Sequence, residues 1–138
     1  LGNLLGGRLM HWIDVAAALA AMRHANRVCV TASVDSMNFH APIKLGQMVV
    51  LKASVNRVFR TSMEVGVRVD VEDLRSGESF HAHTAYLTFV GVESDGTPVP
   101  AEPITPESDD ELRRFQAAGI RREARLEHRA RMEAMNRP

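Results

Sequence analysis

Hydrophobic residues in the first two thirds of the chain are spaced in a way that predicts one helix followed by four strands. Residues 9–26 follow a Gly6-Gly7 breaker, are rich in alanine and carry apolar side chains around nearly the whole helical circumference. Such a helix is expected to be buried on most sides. In a domain of this size, that burial requires a sheet that curves around the helix.

The predicted strands show period-two alternation. It is clearest over residues 63–72, where Met and Val alternate with charged residues and Gly66. The other three predicted strands cover residues 28–39, 48–58 and 80–92. In the first of them, Val28, Val30, Ala32 and Val34 alternate with less apolar residues. The short connections between the last three strands indicate antiparallel hairpins. The predicted fold class is therefore α+β.

The remainder of the chain is polar and predicts a separate helix. Residues 94–107 contain an Asp95-Gly96 turn signal and several prolines, which is typical of an extended linker. A weakly amphipathic surface helix is expected to begin at Thr105-Pro106 or at Ser108, which with Glu111 matches a capping box. The predicted organisation is a domain over residues 1–93, a linker over 94–107 and a helical tail over 108–138.

Composition narrows the function classes. The 138 residues include 17 basic and 17 acidic side chains, and this zero net charge argues against nucleic acid or an anionic membrane as partner. The single cysteine, Cys29, excludes an internal disulfide and a thiolate zinc cluster, and it suits a reducing, cytoplasmic compartment. No secretion signal or membrane span is recognised. Because the chain does not begin with Met, further residues are expected upstream of Leu1.

Asp14 is the main candidate for chemistry, because it is the only acidic residue before Ala32 and lies in a helix expected to be buried. The alternative is a carboxylate stabilised near a helix N-terminus by the macrodipole. Amide groups at Gly6 and Gly7 could cradle a developing oxyanion, although a glycine pair is also an ordinary turn. His11, one turn before Asp14, could complete an acid/base pair.

Two further clusters contain side chains that could bind a ligand. A predicted hairpin is surrounded by Arg57, Arg60, Thr61 and Ser62, whose guanidinium and hydroxyl groups could hold phosphate. The alternative is an ordinary surface turn, since such turns often have a similar composition. His81 and His83 are expected on one face of a strand, but no third metal ligand has an obvious place, so no metal site is predicted. Cys29, among valines, is expected to be an inert strand residue.

Several of these residues form a longer motif that resembles a known family. The pattern is Asn3-x-x-Gly6-Gly7-x-Leu9-Met10-x-x-x-Asp14, an alanine-rich helix, Arg23-His24 and the string VTASVDSMNFH at 30–40. It is similar to the hotdog-fold acyl-CoA thioesterases, most of all to the cytosolic long-chain and broad-specificity acyl-CoA hydrolases. The resemblance covers residues 1–92 and includes the loop with Pro42, Ile43 and Gly46 and the hairpin at 60–65. The family has a strand before the Asn3 loop, which is expected upstream of Leu1.

The resemblance implies a fold, a reaction and roles for single residues. The fold would be a long helix wrapped by a curved antiparallel sheet, and the reaction hydrolysis of fatty acyl-CoA without metal or cofactor. Asp14 would act as general base or nucleophile, Asn3 of the other subunit would position water or the thioester, and the Gly7 amide would polarise the thioester carbonyl. The substrate would also contact Gly6 and, through the coenzyme A phosphates, Arg57, Arg60, Thr61 and Ser62.

The resemblance also implies an assembly, and it leaves alternatives. Active sites would lie at a homodimer interface, with a trimer of dimers as the expected hexamer. A hotdog dehydratase or hydratase would use a His with an acid, which His11 and Asp14 could supply. A non-catalytic acyl-CoA sensor is the other alternative, but it would lack the carboxylate or carry a DNA-binding segment.

Overall fold

A computed structural model describes residues 2–35, 37 and 41–138. The elements follow one another as α1 (Gly6–Ala25), β1 (Cys29–Val34), β2 (Gln47–Val58), β3 (Ser62–Asp73), β4 (Ser79–Gly91) and α2 (Asp109–Met135). The chain forms two compact units, Leu1–Pro103 and Ile104–Pro138. The first unit holds α1 and all four strands, and the second holds α2.

The sheet is antiparallel throughout, with the strand order β1-β4-β3-β2. The predicted hairpins β2–β3 and β3–β4 are confirmed, and β1 adds to the outer side of β4. The α+β class predicted from the sequence is therefore confirmed. Because β1 and β2 are edge strands, each has one side without a partner among the described residues of this chain.

The core lies between α1 and one face of the sheet. The helix contributes one residue per turn, at i, i+4 spacing, which are Leu9, Ile13, Ala17 and Ala21. The sheet contributes the inward positions of its two central strands, which are Met63, Val65, Val67, Val69, Val71, Ala85, Leu87 and Phe89. The small alanines allow the helix to pack closely against this valine-rich face.

The prediction that α1 would be buried on most sides is wrong for the single chain. Leu5, Trp12, Val15 and Leu19 are 72%, 37%, 44% and 60% exposed. Their spacing places them along one stripe of the helix, away from the core residues. The reason is that four strands of one chain cover only one side of the helix. We call these four residues the outer stripe.

Strand β1 also differs from the prediction. It ends at Val34, whereas the pattern placed its end near residue 39, and residues 36 and 38–40 lie outside the described chain. Cys29 is buried opposite Gly91, while Val28 and Val30 are 63% and 47% exposed. The alternation was recognised correctly, but the valine side of this edge strand does not face the core.

A β-bulge between Val69 and Asp70 separates the two histidines that were expected on one strand face. His83 is opposite Val69, and His81 is opposite Asp70. Since Val69 points into the core and its neighbour Asp70 points away from it, the two imidazoles lie on different faces. His81 Nε2 instead contacts the His83 carbonyl oxygen at 2.8 Å and Thr84 Oγ1 at 2.7 Å.

A buried polar pair lies on the sheet face away from α1. Asn56 is the extra residue of a bulge in β2, and its Nδ2 donates to Glu64 Oε1 at 3.0 Å. Both residues are buried, with 5% and 0% exposure. A Cβ atom at Gly66 would meet Asn56 Nδ2 at 2.7 Å, so the absence of a side chain at Gly66 makes room for this amide.

The second unit consists of residues 104–138, with α2 as its one helix among the described residues. Ser108 is its N-cap, as predicted, and its Oγ accepts a hydrogen bond from the Glu111 amide at 3.1 Å. Glu111 Oε2 accepts in turn from the Glu107 amide at 2.8 Å. Neither α1 nor α2, as described, is long and apolar enough to cross a membrane.

Candidate active site

The carboxylate of Asp14 is connected to the edge strand. Thr31 Oγ1 in β1 donates a hydrogen bond to Asp14 Oδ1 at 2.8 Å. Thr31 is exposed and Asp14 is half-buried, so the expectation of a fully buried acid is wrong. Asp14 lies at the boundary between the core face of α1 and solvent, where its carboxylate can be reached from outside.

Among the described residues, Thr31 is the one hydrogen-bond partner of the Asp14 side chain. Oδ2 of Asp14 is therefore open to an external molecule. Neither His11 nor Asn3 is hydrogen-bonded to Asp14 among the described residues, and His11 is exposed on the helix. The predicted His11–Asp14 acid/base pair is therefore not formed. A single oriented carboxylate is the chemical group that the structure presents.

The start of α1 exposes backbone amides. Leu5 is the N-cap and provides no capping side chain, and no acidic residue lies in the first turn. The amides of Gly6 and Gly7 are the first two of the helix, which have no acceptor within it. A Cβ atom at Gly7 would meet nothing within 4 Å in the described chain, so Gly7 is not required for packing inside the monomer. This helix end can receive a developing negative charge.

Asn3 lies in the segment before α1, where it forms a bridge with Lys44 in the loop before β2. Hydrogen bonds from Leu4 N to Ile43 O (2.7 Å) and from Leu45 N to Gly2 O (2.8 Å) hold the two segments together. Between them and α1 lies an open cavity of about 460 Å³, whose mostly apolar lining includes Leu5, Trp12, Ile43, Leu45 and Val49. The start of the helix therefore borders an apolar groove.

The candidate phosphate ligands surround the β2–β3 hairpin. Arg57 is near the end of β2 and its guanidinium lies over the Phe59 ring, 5.2 Å from the centroid. Arg60 and Thr61 form the turn, and Ser62 begins β3. Arg60 is exposed, and it has no ion-pair partner among the described residues.

The sheet register relates this hairpin to Asp14. Thr31 is opposite Phe89, Phe89 is opposite Met63 and Met63 is opposite Val58, which directly precedes the hairpin turn. Three strand spacings separate Thr31 from Val58, or about 14 Å. Asp14, through Thr31, and the hairpin therefore belong to the same end of the sheet.

Other candidate groups do not form sites. Cys29 is buried, and burial raises the pKa of its thiol against the opposing effect of Arg27, so it stays protonated and unreactive. Its Sγ donates to the Arg27 carbonyl oxygen at 3.6 Å. In the described part of the chain, no three His, Cys, Asp or Glu side chains are arranged to hold a metal ion.

Thr31 is the residue of this site that the sequence analysis missed. It was seen only as a polar position alternating with valines, and that pattern gives no indication of a contact with a helix residue. The signal that could have identified Thr31 is its place in the first strand after the Asp14 helix. A hydroxyl on the helix-facing side of a strand that follows the Asp14 helix is a candidate partner for that carboxylate.

Comparison with known proteins identifies the family of this chain. Residues 1–78 match the model of the thioesterase superfamily. The chain is 40% identical over 133 residues to "Uncharacterized acyl-CoA thioester hydrolase YkhA" of Bacillus subtilis, covering 96% of this chain and 77% of that protein. It is 42% identical over 125 residues to mouse "Acyl-coenzyme A thioesterase 11", but spans only 21% of that longer protein.

Solved structures show the same architecture. The crystal structure of an apo-hexameric acyl-CoA thioesterase superposes with a TM-score of 0.89 at 39% identity, covering 94% of this chain and 83% of that one. An acyl-CoA hydrolase from Staphylococcus aureus, in complex with butyryl coenzyme A and coenzyme A, superposes with a TM-score of 0.87 at 36% identity. The match covers 97% of this chain and 82% of that one. The helix-on-sheet arrangement is the hotdog fold. By the match over more than half of its length and by these relatives, the chain belongs to the thioesterase superfamily.

Proposed function

We propose that this protein hydrolyses the thioester of fatty acyl-CoA to the free acid and coenzyme A, with Asp14 as general base or nucleophile. The observation that carries the proposal is the Thr31–Asp14 hydrogen bond, which orients a half-buried carboxylate and leaves one of its oxygens open. The relatives named as acyl-CoA thioester hydrolases support the substrate class.

Either role of Asp14 balances chemically. As a base, it takes a proton from water while the water oxygen attacks the carbonyl carbon, and the tetrahedral intermediate then expels the coenzyme A thiolate. As a nucleophile, its carboxylate attacks the carbonyl carbon, and the C–S bond breaks to expel the coenzyme A thiolate. Water then hydrolyses the resulting mixed anhydride, which releases the free acid and regenerates the Asp14 carboxylate. In both, the Thr31 hydroxyl holds Oδ1 and thereby fixes the direction of Oδ2.

Negative charge on the thioester oxygen needs donors, and the Gly7 amide at the uncapped start of α1 is the proposed one. Gly6 lies beside it and is proposed to contact the substrate. Asn3, which borders the groove at this helix end, is the proposed side chain that positions water or the thioester. Together with the Asp14 carboxylate, these groups supply a base or nucleophile and the donors for the oxyanion, so the proposal requires no metal and no cofactor.

The helix geometry argues that one site uses two subunits. Gly7 and Asp14 are seven residues apart in α1, which separates them by about 10 Å along the axis. Two groups this far apart on one helix are poorly placed to contact the same thioester, since the donor and the carboxylate must each approach to about 3 Å. Two α1 helices packed antiparallel through the outer stripe would bring Gly7 of one chain toward Asp14 of the other.

The outer stripe supports a homodimer of this kind, because large apolar side chains aligned on one helix face are typical of a contact surface. The similarity to hexameric acyl-CoA thioesterases supports further assembly into a trimer of dimers. Neither nucleic acid nor membrane is part of this proposal. The unreactive, reduced Cys29 agrees with a cytoplasmic location.

The substrate is proposed to occupy two regions. The acyl chain would enter the apolar groove between α1 and the strand β2, beside Trp12 and Val49. The phosphates of coenzyme A would contact the hairpin residues Arg57, Arg60, Thr61 and Ser62. The separation of about 14 Å between Thr31 and this hairpin can be spanned by the pantetheine arm.

No observation favours the alternatives. A dehydratase would need the His11–Asp14 pair, which is not formed in the described chain. A sensor would not need an oriented carboxylate beside free helix amides.

The test is thiol release from a panel of acyl-CoAs of increasing chain length, measured by a thiol reagent with purified wild-type protein. Turnover of at least part of the panel is expected, with the chain preference reported by the relative kcat/KM values. Binding of acyl-CoA without thiol release would instead support the sensor.

A further inference from the structure

The segment that follows β4 is pinned to the folded domain at three places. The Asp95-Gly96 turn reverses the chain after β4, and the Asp95 carboxylate accepts from the Thr97 amide at 2.9 Å. Residues 98–102, which we call the strap, then run back along the domain. Their first contact is with the end of β4, where Val99 N donates to the Gly91 carbonyl at 2.9 Å.

The strap then reaches the β2–β3 hairpin and the end of α1. Ala101 N donates to the Arg60 carbonyl oxygen at 2.8 Å, and His24 Nε2 donates to the Glu102 carbonyl oxygen at 2.7 Å. Prolines at 98, 100 and 103 lack amide hydrogens and fix their own φ angles. Of the three amides between them, those of residues 99 and 101 are used in these contacts, so the strap is an extended, stiff segment.

Arg60, the residue that the strap holds, has an unfavourable backbone conformation. Its φ is +154°, in the range that glycine adopts and other residues rarely do. Such conformations persist only where the surrounding structure enforces them, and they concentrate at functional sites. The Ala101 hydrogen bond fixes the direction of the Arg60 carbonyl and therefore the peptide plane within the turn.

The geometry points to the strap as a positioning element for coenzyme A: the Ala101–Arg60 hydrogen bond holds the hairpin in the strained form that presents the Arg60 guanidinium to a phosphate. This inference rests on the proposed function, since it assigns the strap to the phosphate end of that substrate. An exposed arginine without an ion-pair partner among the described residues, on a strained and externally held turn, is what such a contact requires.

The test compares an acyl-CoA with the same acyl thioester of N-acetylcysteamine, which has the reacting group but no phosphates. Ala101→Pro removes the amide hydrogen, and Ala101→Ser is the matched control that keeps it. The expected result for Ala101→Pro is a KM for acyl-CoA raised about tenfold, kcat within about twofold, and unchanged kinetics on the N-acetylcysteamine thioester. Ala101→Ser should behave as wild type on both.

If Ala101→Pro raises KM equally for both substrates, or changes KM for neither, the inference is overturned. If Ala101→Pro does not fold, His24→Ala releases the other end of the strap and should raise KM for acyl-CoA alone, and its failure to do so counts equally against the inference. Hydrolysis of both substrates by wild type separates these outcomes from failure of the proposed function, in which wild type would hydrolyse neither.

Discussion

Thr31 Oγ1 lies 2.8 Å from Asp14 Oδ1, so a hydroxyl on the edge strand β1 fixes the carboxylate of the central helix. The contact joins two elements that are 17 residues apart in sequence. It orders one oxygen of the acid and leaves the other for water or the thioester.

Removing the Thr31 hydroxyl should impair turnover more than stability. Thr31→Val keeps the shape of the side chain but cannot donate, so Asp14 loses its orientation, and kcat is expected to fall about tenfold. Thr31→Ser keeps the donor and is expected to stay within a few-fold of wild type. Steady-state kinetics and thermal melting of both variants check this, and wild-type kcat in Thr31→Val would count against the orienting role.

The Gly7 amide can be removed without removing a helical hydrogen bond. Proline is tolerated in the first turn, where the amide has no acceptor within the helix, so Gly7→Pro should fold. Its kcat should fall by about a hundredfold or more if this amide binds the oxyanion. Gly7→Ala keeps the amide and controls for the added carbon, which meets no atom of the described chain. Equal kcat for the two variants would show that the added carbon, and not the amide, matters.

Mixing two inactive variants tests whether one site uses two subunits. In a heterodimer of Gly7→Pro and Asp14→Ala chains, one site combines an intact Gly7 with an intact Asp14 from the opposite chain. Co-expression with two affinity tags should therefore restore up to about half of the wild-type activity per dimer. A purified heterodimer as inactive as its parents would mean that both groups act from the same chain.

Gly66 is predicted to be required for packing rather than catalysis. A methyl group there would meet Asn56 Nδ2 at 2.7 Å, and Asn56 is held by Glu64, so Gly66→Ala should cost about 1–3 kcal/mol of unfolding free energy. In an Asn56→Ala background the same change should cost less, because the obstructing amide is gone. Urea denaturation of wild type, Gly66→Ala, Asn56→Ala and the double variant measures this coupling. An identical loss of unfolding free energy on Gly66→Ala in both backgrounds would contradict the proposed clash with Asn56.

The sequence was informative where the period of hydrophobic residues matches the element. Strand β3 shows this best, since Met63, Val65, Val67, Val69 and Val71 all point into the core as the alternation predicted. The capping pair Ser108 and Glu111 was equally local and equally predictable. Both depend on neighbours in sequence, which a pattern can represent.

Features that depend on distant contacts were not predictable. The bulge at Asp70 places His81 and His83 on different faces, and no local signal in the sequence marks it. Glu64 occupies a polar position of β3 and was expected outside the core, yet it is fully buried beside Asn56. The apolar residues around the circumference of α1 were recognised, but how much of the helix one chain can cover depends on the width of the sheet.

The most direct test of the central claim is thiol release from the best acyl-CoA substrate by wild type and by Asp14→Asn. Asparagine keeps the size of the side chain and an oxygen that accepts from Thr31, but it is neither a base nor an effective nucleophile. We expect wild type to turn over and Asp14→Asn to lose about a hundredfold or more in kcat, with an unchanged elution volume and melting temperature. Equal thiol release by the two proteins would contradict the assignment of Asp14 and with it the proposed mechanism.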